Sequence, residues 1–189
     1  RGLTIAGNSV ADCGNGGILV HRYDKGEDNS VVTGNRISRI RADDGGTGQN
    51  GNGINVFRAG GVMIANNHIS DCAFTAIRAN SASNIQITGN QCQRSGETAI
   101  YVEFEFEGAV VANNIVDGAA NGISIANFDK GGRLASVTGN VVRNLTTKGP
   151  YKPDVGFGIG IAAEADTLIS GNIIEGAPRW GMQLGWGPY

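Results

Sequence analysis

Ile87-Thr88-Gly89-Asn90 is one of seven versions of a single phrase, an apolar residue, one spacer, then Gly-Asn or Asn-Asn, with a further apolar or small side chain two positions on. The other six end at Asn8, Asn35, Asn67, Asn114, Asn140 and Asn172, at spacings of 27, 32, 23, 24, 26 and 32 residues. Self-similarity at such a period is the mark of a chain that stacks one structural unit on the next. A second phrase follows each Asn, a small residue and then an apolar one: Gly17-Ile18, Gly53-Ile54, Ala76-Ile77, Ala99-Ile100, Gly122-Ile123, Gly158-Ile159 and Gly181-Met182. Within each phrase the apolar side chains stand two apart, the period of a strand rather than of a helix.

Stacking the units yields four apolar columns. They run through Ile5 to Ile169 (three before the Asn), Val10 to Ile174 (two after it), Ile18 to Met182 and Val20 to Leu184. Most members are β-branched, which suits packed strands. The residue before each ladder Asn is Gly or Asn, the types that most readily take a left-handed backbone, so the chain turns a corner there. Stacked Asn side chains can then bond along the column. One unit buries four or five aliphatic side chains worth ~1.5–3 kcal/mol each. Ordering its ~23 backbones costs ~1–2 kcal/mol each, so a unit folds only in a stack. These features predict an all-β fold, a right-handed parallel β-helix solenoid of about seven rungs, each with three short strands and an Asn in the ladder.

The chain has 189 residues, of which 31 are Gly, as many tight corners require. The formal net charge of −2 lacks the basic footprint of a nucleic-acid partner, and no apolar run is long enough for a membrane span. Neither end shows a capping helix or a polar terminal rung. Residues 1–189 therefore read as one domain, an excerpt of a longer solenoid, with end-to-end or edge association as the rival. Cys13 and Cys72 share a column two rungs apart, ~9.6 Å at strand spacing, beyond the reach of a disulfide. These two and Cys92 are expected to be buried thiols.

The irregular rungs repeat as well. Residues 17–80 align with 122–185 at a constant offset of 105, Tyr23-Asp-Lys-Gly26 matching Phe128-Asp-Lys-Gly131, which points to a duplicated four-rung block. Asp-Lys-Gly loops leaving rungs one and five, and insertions at 41–52 and 146–157 leaving rungs two and six, then flank one face in two clusters, with rungs three and four as the floor. The outward residues predicted there are Arg78, Asn80, Tyr101 and Glu103, with Asn55 and Phe57 on the adjoining rung. The run Tyr101-Val-Glu103-Phe-Glu105-Phe-Glu107 alternates with period two, so its three Glu are expected to face outward. Arg78 and Tyr101 would bind a sugar chain by ionic and stacking contacts, with Asn55, Phe57 and Asn80 beside them. Glu103 and the pair Asp43-Asp44 are the candidate acid–base groups. The rival reading of the same residues is cross-strand pairing on a solvated sheet. No spacing of residues asks for a metal, and no cofactor is specified.

The phrases Arg41-Ala-Asp-Asp-Gly-Gly-Thr-Gly48, Gly53-Ile-Asn-Val-Phe-Arg-Ala-Gly-Gly61, Gly108-Ala-Val-Val-Ala-Asn-Asn-Ile-Val-Asp117 and Leu184-Gly-Trp-Gly187 resemble the bacterial twin-arginine-translocated repeat family of uncharacterised function. The resemblance implies a right-handed β-helix of the pectin-lyase-like class, export to the periplasm, and further rungs. It carries no assigned catalytic residue. The Asn-Thr-Asp, Gly-His-Gly and Asp-Pro-His motifs of pectin-degrading relatives do not occur. The function expected is an exported protein that binds an extended carbohydrate between the loop clusters, as a polysaccharide lyase or hydrolase or as a binding protein alone. The alternative is a non-catalytic envelope scaffold or assembly module with a protein or cofactor partner.

Overall fold

A computed structural model describes residues 1–126, 130–151, 156–164 and 166–185. Among them are 21 strands and no helix. The fourth rung sets the pattern, with strands Ile85–Thr88, Gln91–Ser95 and Thr98–Glu103. Each belongs to a different parallel sheet of seven strands, and every sheet takes one strand from each rung in order. The three sheets wall a single core. Ile54, Ile77, Ile100 and Ile123 form one file within it, all shielded from solvent.

The Asn column is a continuous ladder. Nδ2 of Asn8, Asn35, Asn67, Asn90, Asn114 and Asn140 donates to Oδ1 of the next Asn at 2.9–3.0 Å. The same Oδ1 accepts the backbone N–H of the preceding Asn, for example Asn67 N to Asn90 Oδ1 at 3.0 Å. The second Nδ2 proton caps a strand carbonyl one rung back, as Asn90 does on Ile64. Every polar atom of the inner Asn side chains is thus satisfied away from water, which is what allows their burial. The residues before them, Gly7, Gly34, Asn66, Gly89, Asn113, Gly139 and Gly171, all have φ between 55° and 69°.

A second left-handed column lies four positions after each Asn, at Asp12, Arg39, Asp71, Arg94, Gly118, Asn144 and Gly176. Its charged members pair along the stack. Arg39 grips Asp12 at 2.7 and 2.8 Å, and Arg94 grips Asp71 at 2.6 and 2.8 Å. These pairs are solvated, so water screens them and they add little to stability.

The structure corrects four expectations. In the sixth rung Ile123 pairs with Ile161 and Ile125 with Ala163, so the inward positions are Ile161 and Ala163 rather than Ile159 and Ile161. The ungapped offset of 105 therefore departs from the register by two residues there. Met182 and Leu184 are in register with the inner columns yet exposed. The run Tyr101–Glu107 is not one strand: it turns at Phe104, whose φ is 62°, and Phe106 goes into the core. Glu105 and Glu107 are exposed, whereas Glu103 is buried. Finally, Cys72 and Cys92 are buried free thiols, but Cys13, on the first rung, is half-buried. The Tyr23–Gly26 segment stays within the strand Gly16–Glu27, whose register slips between His21 and Gly26. Of its expected counterpart, Phe128–Gly131, the first two residues lie outside the described ones.

Candidate functional site

The two insertions leave the solenoid at the same corner, between the second and third sheets. The first separates Arg36–Ile40 from Asn52–Gly60, and the second separates Val141–Leu145 from Ile159–Ala163. Rather than standing apart as two walls, they converge. The first reaches forward, so that the Gly48 carbonyl accepts a hydrogen bond from Arg78 Nη1. The second reaches back, so that the Tyr151 hydroxyl donates to Glu97 Oε1 at 2.6 Å. A Cβ placed on Gly48 would lie 3.6 Å from Arg78 Nη1 and 3.8 Å from Glu97 Oε2. The place where the loops meet is thus the corner of rungs three and four.

The floor is the outer face of the third sheet. Asn55, Arg78, Tyr101, Ser124 and Ala162 are in register along it. One file over, His21, Phe57, Asn80, Glu103 and Ala126 align. Arg78 and Glu103 are joined through Nε and Oε1, with side chains 14% and 4% exposed. Asn80 Nδ2 donates to the same Glu103 oxygen at 3.1 Å. Burial holds the Glu103 carboxyl above its ordinary range, the neighbouring Glu97 charge adds to this, and Arg78 and Asn80 oppose it. Arg78 is therefore engaged on both sides and is not presented to a ligand.

Glu97 is the principal residue that sequence reading missed. It is 4% exposed and sits just before the strand Thr98–Glu103. Its Oε1 takes the Tyr151 hydroxyl and its Oε2 takes the Thr75 hydroxyl at 3.1 Å. Burial raises its pKa above the ordinary value, while the two hydroxyl donors and the charge of Arg78 offset part of that rise. The Tyr151 ring packs on Phe157 at 5.6 Å and faces Phe74 at 6.3 Å. Gly149 makes this possible, since a Cβ there would lie 1.9 Å from the Phe157 ring.

Beside this corner opens a pocket of about 300 Å³. Tyr101, Tyr151 and Phe157 line it with rings, Asn121, Ser124 and Gln183 with amides and a hydroxyl, and Glu97 and Glu164 with carboxylates. Burial and the adjacent carboxylates push the Tyr101 and Tyr151 phenols well above their ordinary range.

Of the residues expected at the site, Tyr101 lines this pocket; Arg78, Glu103, Asn55, Phe57 and Asn80 do not. Phe57 is occupied by the His21 ring at 4.9 Å and the Arg58 guanidinium at 4.8 Å. Asn55 reaches the Gln49 carbonyl at 3.4 Å. Asp43 and Asp44 are exposed and turned toward the first rung. Asp43 pairs with Arg41 at 3.0 Å, and Asp44 accepts from Asn15 at 2.7 Å. Of the insertion expected at 146–157, residues 152–155 lie outside the described ones. Among the described residues no group of three or more His, Cys, Asp or Glu is arranged to hold a metal ion, and no helix is long and apolar enough to cross a membrane.

A family model for the right-handed beta helix region matches residues 1–142, and the chain belongs to that family. Among solved structures it superposes on an alginate lyase from Paenibacillus sp. str. FPU-7 with a TM-score of 0.72 and 16% sequence identity. The match covers 97% of this chain and 64% of that one, so the chain spans less than two thirds of the enzyme's length. The likeness is one of fold. No curated protein sequence matches the chain.

Proposed function

We propose that this β-helix binds an extended carbohydrate on the outer face of its third sheet, in the pocket beside the converging insertions. The observation that carries this reading is the lining. Rings from Tyr101, Tyr151 and Phe157 stand beside the hydrogen-bonding side chains of Asn121, Ser124 and Gln183. A sugar presents C–H faces and hydroxyl edges, and this combination matches both. The shared architecture with an enzyme named as an alginate lyase supports a polysaccharide ligand. If the protein also performs chemistry as a polysaccharide lyase or hydrolase, the group suited to it is Glu97. It is a buried carboxyl with a raised pKa at the pocket, bonded to a phenol that reaches the surface. Glu103, Asp43 and Asp44 are all engaged elsewhere. On the same reading the protein works in the periplasm, as its resemblance to twin-arginine-translocated repeat proteins implies.

The second reading, a non-catalytic assembly module, draws on a different face. Val110, Leu134 and Leu168 are exposed around a groove on the first sheet. A glycan array probed with the wild type and with Ser124→Trp separates the two. Trp at position 124 fills the pocket without touching the core, so it should abolish glycan binding at an unchanged melting temperature. Absence of any glycan binding by the wild type overturns the carbohydrate reading.

A further inference from the structure

The second sheet presents a polar recess of its own. Arg36, His68 and Gln91 follow one another in register along its outer face, on rungs two to four. They open their strands beside the Asn ladder, at the opposite end from the insertions. All three line a recess of about 340 Å³. Other arginines on this side of the solenoid are paired across adjoining rungs: Arg39 with Asp12, Arg94 with Asp71 and Arg143 with Asp117. Arg36 departs from that pattern. Its in-register neighbours are Ser9 and His68. Among the described residues its guanidinium has no ion pair and no hydrogen bond, and the His68 ring and Gln91 amide have no partner either. The charged side chains lining the recess are three arginines and Asp71. Arg39 and Arg94 are each committed to a carboxylate, so Arg36 is the surplus charge.

A guanidinium offers N–H groups and no acceptor, an imidazole always keeps at least one N–H, and an amide brings two more. Three neighbouring side chains thus aim donors at one space that carries a single surplus positive charge. A sulfate ester answers both features, with one negative charge and three terminal oxygens. A carboxylate has the charge, but the guanidinium fork takes both of its oxygens and leaves His68 and Gln91 unused. A phosphate monoester brings about two charges against one. We propose that this recess binds the sulfate ester of a sulfated glycan, at a site separate from the pocket on the third sheet. The oxyanion follows from this face alone; that a sugar carries it rests on the carbohydrate reading.

The test is titration calorimetry of the whole chain at low salt with a sulfated oligosaccharide, its desulfated counterpart, a polyuronate oligomer of equal length, and inorganic sulfate. The sulfated oligomer should bind about tenfold more tightly than the desulfated one, a difference of ~1.4 kcal/mol. Arg36→Ala, at an exposed position, should bring those two to parity at an unchanged melting temperature, and His68→Ala should remove part of the preference. Ser124→Trp, which fills the other pocket, should leave the preference intact. Equal binding of the two by the wild type, a preference that survives Arg36→Ala, or tighter binding of the polyuronate overturns the sulfate site and leaves the carbohydrate reading standing on the response to Ser124→Trp. Inorganic sulfate bound as tightly as the sulfated oligomer overturns the glycan as its carrier. A preference that Arg36→Ala abolishes, with no glycan contact sensitive to Ser124→Trp, keeps this site and removes the pocket.

Discussion

Arg78 on the third rung donates its Nε to Glu103 Oε1 on the fourth, beneath the carbonyl of Gly48. The contact clasps the first insertion to the outer face of the third sheet. From sequence alone Arg78 is a free cation on a solvated sheet, and its removal is expected to leave stability nearly unchanged. The clasp reverses that expectation. Arg78→Ala strips a buried carboxylate of its counter-charge, a loss on the order of 3–5 kcal/mol. Chemical denaturation should show this loss, with part of it regained in the double variant Arg78→Ala/Glu103→Gln. A variant Arg78→Ala as stable as the wild type would mean that Glu103 is not buried as an ion.

Asn90 is a buried member of the ladder, whereas Asn8 is exposed. Asn90→Ala removes an acceptor used by both Asn67 N and Asn67 Nδ2, and a donor used by Asn114 Oδ1. Each buried group left unpaired costs ~1–3 kcal/mol, so the variant should lose several times what Asn8→Ala loses. Equal losses at the two sites would contradict the ladder's role as an interior support.

What was legible in the sequence and what was not divide along repetition. The ladder Asn, the left-handed residue before it and the inner columns recur in every rung, so each copy checks the others. Glu97 occurs once. Backbone hydrogen bonds place it in a column with Gly51, Phe74, Ala120 and Gly158, where a lone carboxylate among small and apolar residues was the available signal. Its partner Tyr151 stands 54 positions later in an insertion with no periodicity. The sixth rung misled for a related reason. Gly158-Ile159-Gly160-Ile161 offers the same phrase twice, two residues apart, and a strand period of two cannot choose between them. Arg78 and Glu103 were assigned to the correct outer files, but their burial depends on the fold of the first insertion, which no pattern of strands encodes.

The thiols should react in an order set by depth. Cys13 is half-buried on the first rung. Burial pushes the Cys72 thiol up to about 12, and the fully enclosed Cys92 is raised further still. The thiolate is the reactive form. A maleimide or disulfide reagent at neutral pH should therefore label one cysteine of the native protein, Cys13, and reach the other two only on unfolding. Mass spectrometry of the native, labelled chain settles it, and early modification of Cys92 would break the column assignment.

The pH dependence of stability should carry the imprint of Glu97. Its pKa in the folded protein is raised from 4.5 by burial, so below that value the proton is bound in both states and the site costs nothing. As pH rises through the folded value, the native state must give up a proton that the unfolded chain has already lost, and stability falls. Asp12, Asp71 and Asp117, lowered by their Arg and Asn partners, act in the opposite sense, their contribution being present above 3.8 and lost as pH falls below it. They are common to wild type and variant and cancel in the difference. Glu97→Gln removes the titration and keeps an acceptor for one of the two hydroxyls. Its melting temperature relative to wild type should therefore rise as pH climbs from about 4, near the ordinary carboxylate range, and level off above the folded value, whatever its absolute value. A gap that stays constant across that range would show that Glu97 titrates as an ordinary exposed carboxylate, against the burial that the fold imposes on it.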